Sequence, residues 1–129
     1  MRILLVEDDP AVLGLGASAL RREGYRVLEA RSGHDALTIA AESTIALLVT
    51  DVIMPGMNGS ELAKRLLELD SSVKVLFASG YTENTIVHHG VLEPGISFLP
   101  KPFTPNSLTR KVREVLDTKH AVAQERPLC

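Results

Sequence analysis

The chain predicts an α/β fold, a doubly wound parallel sheet with helices on both faces. Three observations lead there. Short apolar runs and amphipathic stretches alternate five times within 129 residues. The first and third runs are apolar at consecutive positions, as strands covered on both faces require, rather than at every second position. Polar helix-starting residues, twice followed by proline, stand between run and stretch. Parallel neighbours joined through helices imply right-handed crossovers. A chain of this length buries roughly two-thirds of its unfolded surface around one core.

The first run, Ile3–Val6, reads as a strand that stops at Glu7-Asp8-Asp9-Pro10. Asp9 before Pro10 is an N-cap with proline at the first helical position. That helix carries Val12, Leu13, Gly16, Ala17 and Leu20, and Gly24 ends it. Tyr25–Glu29 alternates and suits a strand nearer the sheet edge. Ser32, with Asp35 one turn on, opens a second helix bearing Ala36, Leu37, Ala40 and Ala41. Ile45–Thr50 is the most apolar run, hence a central strand, and it ends at Asp51. Pro55–Gly59 is dense in turn residues, and Asn58 with Glu61 makes a capping box for a helix holding Leu62, Leu66 and Leu69. Val73–Ala78 is a fourth strand, followed by a loop at Ser79–Thr82 and a weakly helical stretch at Glu83–His89 that Glu93-Pro94-Gly95 breaks. Ile96–Leu99 is a fifth strand. Thr104 and Pro105 form another cap and first-turn pair, and Leu108, Val112, Val115 and Leu116 share a face of the last helix. Periodicity ends at about Thr118, so a folded unit is expected over 1–117 and a frayed tail over 118–129.

Composition narrows the function classes. Apolar residues make up 45% and charged residues 23%, which suits a soluble domain and excludes a disordered chain. Fourteen Lys and Arg stand against 16 Asp and Glu, a formal net charge of −2, whereas domains that grip a phosphate backbone usually carry a basic excess. No apolar run is long enough to span a bilayer, and no secretory leader is visible. Cys129 is the only cysteine, so no disulfide forms within the chain, in keeping with a reducing compartment. The expectation is a cytoplasmic protein without nucleic-acid or direct membrane contact.

In open parallel sheets, ligands sit beyond the carboxyl ends of the strands, near the switch in strand order. Those ends read Glu7, Asp8 and Asp9 after strand one, Asp51 after strand three, Ser79 after strand four and Lys101 after strand five. Singly, each has an ordinary explanation: a cap for Asp9, solvated loop acids for Glu7 and Asp8, a strand terminator for Asp51. Together they form a crowd of carboxylates, which repel one another and raise their pKa values unless a cation neutralises them. Hard carboxylate oxygens with room for water suit Mg²⁺. A metal beside a carboxylate and a lysine makes a site for a phosphoryl group. Aspartate carboxylates also act as nucleophiles that form aspartyl phosphates.

The runs VEDDP (Val6–Pro10), TDVIMPGMNG (Thr50–Gly59), FASGY (Phe77–Tyr81) and LPKPF (Leu99–Phe103) resemble receiver domains of two-component response regulators, in order and at family spacing. In finer detail, Leu76–Glu83 and His88–Leu116 are similar to the C-terminal receiver domains of hybrid sensor histidine kinases. The resemblance implies a flavodoxin-like, five-stranded sheet of order 2-1-3-4-5 with five helices. It implies that Asp51 is the phosphoacceptor, taking a phosphoryl group from phosphohistidine with Mg²⁺. Asp8 and Asp51 would ligate the ion directly, Glu7 directly or through water, and the backbone carbonyl of Ile53 would complete the protein ligands. Ser79 would hydrogen-bond one phosphoryl oxygen and Lys101 would pair with another. Phe98 matches the aromatic switch position, and the Lys101–Pro102 peptide is expected cis. Two departures stand out: the acidic pair is Glu7-Asp8 rather than two aspartates, and Phe98 lacks a phenol hydroxyl.

Ile53 and Tyr81 would flank the approach of water to a phosphorylated Asp51, and both are bulky, so slow self-dephosphorylation is expected. The partner implied is a sensor histidine kinase or a histidine phosphotransfer protein. The face of the fourth helix, fifth strand and fifth helix is where a homodimer would form. Little chain follows the last helix, so the expected output is phosphotransfer or protein contact rather than DNA binding. His88 and His89, on a weak helix, read as solvated. Two other classes compete with this phosphoacceptor module, which is not itself a turnover enzyme. A Mg²⁺-dependent phosphohydrolase with Asp51 as nucleophile wants an acid where Ile53 stands. A flavodoxin-like cofactor binder wants a Ser/Thr/Gly-rich phosphate loop where Glu7-Asp8-Asp9 stand.

Overall fold

The computed structural model describes residues 1–79 and 96–117, apart from the side chains of Ser79 and Ile96. In chain order the elements are β1 (Arg2–Val6), α1 (Pro10–Arg22), β2 (Arg26–Ala30), α2 (Gly33–Glu42), β3 (Leu47–Thr50), α3 (Gly59–Leu69), β4 (Lys74–Ser79), β5 (Ile96–Pro100) and α4 (Pro105–Asp117). All five strands are parallel in the order β2-β1-β3-β4-β5. The alternating run thus lies at an edge and the most apolar run at the centre. Four helices stand among the described residues, and α4 corresponds to the fifth helix expected from sequence. The expected helix at 83–89 with His88 and His89, Tyr81 of the preceding loop, and the tail over 118–129 with Cys129 lie outside the described residues. No helix among the described residues is long and apolar enough to cross a membrane.

Side-chain oxygens set the helix starts. Asp9 Oδ1 accepts from the backbone N–H of Ala11 at 2.9 Å, Ser32 Oγ from that of Asp35 at 3.1 Å, and Asn58 Oδ1 from that of Glu61 at 2.8 Å. Each such cap stabilises its helix by about 1 kcal/mol. The box expected at Asn58 forms only in its forward half, because Glu61 turns down the helix to Arg65 at 2.8 Å. A reciprocal box forms instead at α4, where Ser107 N–H donates to Thr104 Oγ1 at 3.0 Å and Thr104 N–H donates to Ser107 Oγ at 2.9 Å.

Each strand differs from its apolar run by one or two residues at one or both ends, and the later starts of β2, β3 and β4 each have a local reason. Tyr25 belongs to the turn closing α1: Gly24 adopts φ +95°, and Tyr25 N–H donates to the Leu20 carbonyl. Ile45 is apolar because it is buried in the core, although it precedes the ladder of β3. Val73 donates to the Asp70 carbonyl in the turn after α3, so β4 starts at Lys74 and reaches Ser79, placed in the sequence reading at the head of the loop.

The sheet divides the core into two layers, and strand pleating assigns alternate residues to each. Ile3 and Leu5 of β1 face the layer built with Leu13, Ala17 and Leu20 of α1 and Leu108, Val112 and Val115 of α4. Leu4 and Val6 face the layer built with Ala36 of α2 and Leu62, Ala63 and Leu66 of α3. This double burial is why the central strands β1 and β3 read as nearly unbroken apolar runs. Beyond the strands' carboxyl ends, the loops gather polar groups from several elements.

Candidate functional site

Neighbouring strands fix the two principal acids. Glu7 directly follows β1, and its N–H donates to the Ala30 carbonyl of β2 at 3.1 Å. Asp51 directly follows β3, and its N–H donates to the Val6 carbonyl of β1 at 3.3 Å. Ladder geometry therefore runs one residue past each strand and holds both acids side by side. Carboxylate oxygens of Glu7, Asp8 and Asp51 lie within 4.8 Å of one another. Asp8 is more open to solvent than Glu7, whose side chain is 6% exposed.

Lys101, which directly follows β5, reaches into this cluster. Its Nζ lies 2.6 Å from Glu7 Oε1 and 3.2 Å from Asp51 Oδ2. The second Glu7 oxygen accepts from the backbone N–H of Asp9 at 3.2 Å. The Lys101–Pro102 peptide is cis, as expected. Burial, the strongest influence on Glu7, pushes its carboxyl above the ordinary value of 4.5 despite the bond to Lys101. Burial also works against the Lys101 ammonium, but the hydrogen bond to Glu7 and the charges of Asp51 and Glu7 outweigh it, so its pKa is raised above 10.5. Three carboxylates and one ammonium leave the site formally at −2, because −3 and +1 sum to that.

An anionic cluster of hard oxygens, neutralised only in part, has the donor chemistry of a Mg²⁺ site. The residues fit such an ion. Asp9 stands apart from the cluster: its side chain is spent on the cap of α1. Phe98 of β5 is half-buried against the layer under α2 and α3, beside Phe77 in register. Ile53 is a large hydrophobic left 44% exposed two residues after Asp51. The backbone of Ser79 ends β4 opposite Pro100, while its side chain lies outside the described residues.

Two residues that sequence reasoning passed over touch the Asp51 backbone. Thr50 Oγ1 donates to the Asp51 carbonyl at 3.0 Å, and Gly59 packs its Cα against the same oxygen. The available signals were a lone polar residue closing the most apolar run, and a glycine in the first turn of a helix.

Comparisons with known proteins bear on the family and the fold. The family model described as the response regulator receiver domain matches residues 3–113. The sensor kinase CckA of Brucella abortus is 39% identical over 117 residues, which make up 89% of this chain but 12% of that protein. The response regulator receiver protein CpdR of the same organism is 33% identical, over 89% of this chain and 96% of its own length. Among solved structures, the receiver domain from the hybrid histidine kinase CckA superposes with a TM-score of 0.77 at 43% identity, covering 90% of this chain and 99% of that one. A CheY-like receiver domain from Methanospirillum hungatei reaches 0.79 at 31% identity, covering 90% and 93%. Both the sheet order and the likeness to a hybrid-kinase receiver thus match expectation, and the chain belongs to the response regulator receiver domain family.

Proposed function

We propose that this chain is a phosphoacceptor module of a two-component phosphorelay, with Asp51 as the residue phosphorylated. The observation that carries the reading is the Asp51 carboxylate at the end of the central strand, bonded by Lys101 and beside Glu7 and Asp8. An Asp51 carboxylate oxygen attacks the phosphorus of a phosphohistidine on a sensor kinase or a histidine phosphotransfer protein. The new O–P bond forms as the P–N bond breaks, and the imidazole nitrogen keeps the electron pair and takes a proton from solvent. Lys101 exchanges its contact with Asp51 Oδ2 for a phosphoryl oxygen, so its ammonium is in place before the reaction and little reorganisation is needed. Ser79 bonds another phosphoryl oxygen.

Glu7, Asp8, Asp51 and the Ile53 carbonyl would hold Mg²⁺, which supplies positive charge against the phosphoryl oxygens. The module occupies residues 1–117 and acts in the cytoplasm, either alone or within a hybrid kinase. It works through protein contacts rather than nucleic acid or membrane. Phosphorylation biases Phe98 and the face around β5 and α4, which is also where two copies would meet. It is no hydrolase by this reading, since the aliphatic Ile53 stands where a phosphohydrolase places its general acid.

The test is incubation with Mg²⁺ and acetyl phosphate, read by intact mass and by peptide mapping. One phosphoryl group on Asp51 is expected, lost in Asp51→Asn and in excess chelator. An adduct of equal extent on Asp51→Asn, or steady turnover without an adduct, overturns the proposal.

A further inference from the structure

Thr50 is fully buried, the one polar member of an otherwise apolar strand. Its register neighbours on the adjacent strands, Val6 and Phe77, belong to the apolar layer under α2 and α3. A hydroxyl in such surroundings needs a partner, and it finds one in the backbone carbonyl of Asp51 at 3.0 Å. The return of the chain at α3 encloses the same group from another direction. A methyl group built on Gly59 would lie 2.0 Å from the Asp51 carbonyl oxygen, 3.0 Å from its carbon and 3.1 Å from Val52 Cα. The Gly59 N–H donates to the Val52 carbonyl at 2.7 Å. The peptide that follows Asp51 therefore sits between a donated hydroxyl and a bare α-carbon, with little room to rotate.

We infer that Thr50 and Gly59 are positioning residues for Asp51: they fix the peptide after it and, through that peptide, the direction in which its carboxylate points. Neither touches a reacting atom. The carboxylate must face Lys101 at one edge and an incoming phosphorus at the other, and small misalignments of a nucleophile cost rate steeply. The inference rests on the reading of Asp51 as phosphoacceptor, and the two are separable by experiment.

Thr50→Val keeps the shape and removes the hydroxyl, while Thr50→Ser keeps the hydroxyl and removes the methyl. The full chain is used, with two readouts: the ¹³C shift of the Asp51 backbone carbonyl without Mg²⁺, and the initial rate of adduct formation from acetyl phosphate with Mg²⁺. Thr50→Val should move the carbonyl shift and slow adduct formation about fivefold, the worth of one neutral hydrogen bond, and Thr50→Ser should restore both. A purely structural role reverses this pattern, with Thr50→Val like the wild type and Thr50→Ser impaired, and that result overturns the inference. Should Thr50→Val not fold, Gly59→Ala supplies the second arm: an unmoved Asp51 carbonyl shift and an unchanged rate there overturn the inference equally. A wild type that forms no adduct removes the phosphoacceptor reading, and the inference falls with it.

Discussion

The two rims of the sheet carry opposite charge and manage it differently. At the carboxyl rim, Glu7, Asp8 and Asp51 crowd together, and Lys101 is drawn in to bridge two of them. At the amino rim, Arg2 and Arg26 are directly paired in register across β1 and β2, beside a shallow cavity of about 410 Å³ lined also by Met1, Thr44 and Ala46. Like charges facing each other across strands repel, yet no counterion partners either arginine among the described residues. The difference is solvent. Both arginines are exposed, and water screens them, whereas Glu7 is buried and its charge must be answered by protein. A rim that tolerates repulsion through hydration is free surface. One that needs an internal cation holds charge under tension and can do chemistry with it.

The sharpest way to break this contrast is to take away the internal cation. Lys101→Ala leaves a buried Glu7 beside Asp51 and Asp8 with nothing to offset them. It should destabilise the metal-free protein by about 2 kcal/mol, below the range for wholly buried pairs because Lys101 remains partly solvated. Urea melts in chelator measure this, and a loss no larger than that of a surface substitution would show that the acids need no internal counterion.

Thinning the crowd should act in the opposite direction. Asp8→Ala removes one of the three mutually repelling carboxylates, and it should stabilise the metal-free fold by about 1 kcal/mol while abolishing Mg²⁺ binding. Asp8 is the most solvated of the three, which keeps the gain modest. The same melts, paired with a Mg²⁺ titration, decide it: a less stable variant in chelator means that repulsion does not govern this rim.

How far this was legible in sequence follows from how locally each feature is determined. Asp9, Ser32, Asn58 and Thr104 were readable as caps because a cap acts on backbone two or three residues away. Strand order followed from the burial of the runs and from the family resemblance. The convergence of Glu7, Asp51 and Lys101 was readable because parallel strands deliver their carboxyl ends to one rim. The partner that Lys101 takes at rest was not readable: sequence reasoning assigned it to a phosphoryl oxygen, and the structure seats it on Glu7, 94 residues away. The clamp on Asp51 was equally hidden, since the approach of Gly59 depends on how the loop after β3 folds back. Tyr25 and Val73 were misplaced by one position because apolar character does not distinguish a ladder residue from one ending a turn.

Titration sharpens the contrast more gently. The folded pKa of Glu7 lies above the unfolded 4.5, so the folded state holds that proton more tightly. Its contribution is greatest below 4.5 and falls as pH rises from there through the folded value. For Lys101 the folded pKa is also raised, so its contribution is whole below 10.5 and is lost as pH climbs through the folded value. Glu7→Gln should remove the acid-side decline and shrink the alkaline one, since the bond to Glu7 is the largest influence raising Lys101. Urea midpoints in chelator against pH, wild type minus variant, give the comparison. A flat difference on the acid side would contradict the raised Glu7 value.

The smallest effect belongs to the amino rim, and its smallness is the point. Arg26→Gln removes one of two facing like charges while keeping a polar side chain of similar reach. Hydrated charges at this separation interact weakly, and exposed pairs are worth at most about 1 kcal/mol, so the variant should be more stable by under about 0.5 kcal/mol. Added salt should erase even that, because screening acts fully on groups in water. The corresponding salt series on Lys101→Ala should leave most of its deficit in place, as ions reach Glu7 poorly. Melts of both variants at low and high salt test the pair together. A salt-insensitive gain in Arg26→Gln, or a deficit in Lys101→Ala that salt abolishes, would mean that hydration does not separate the two rims.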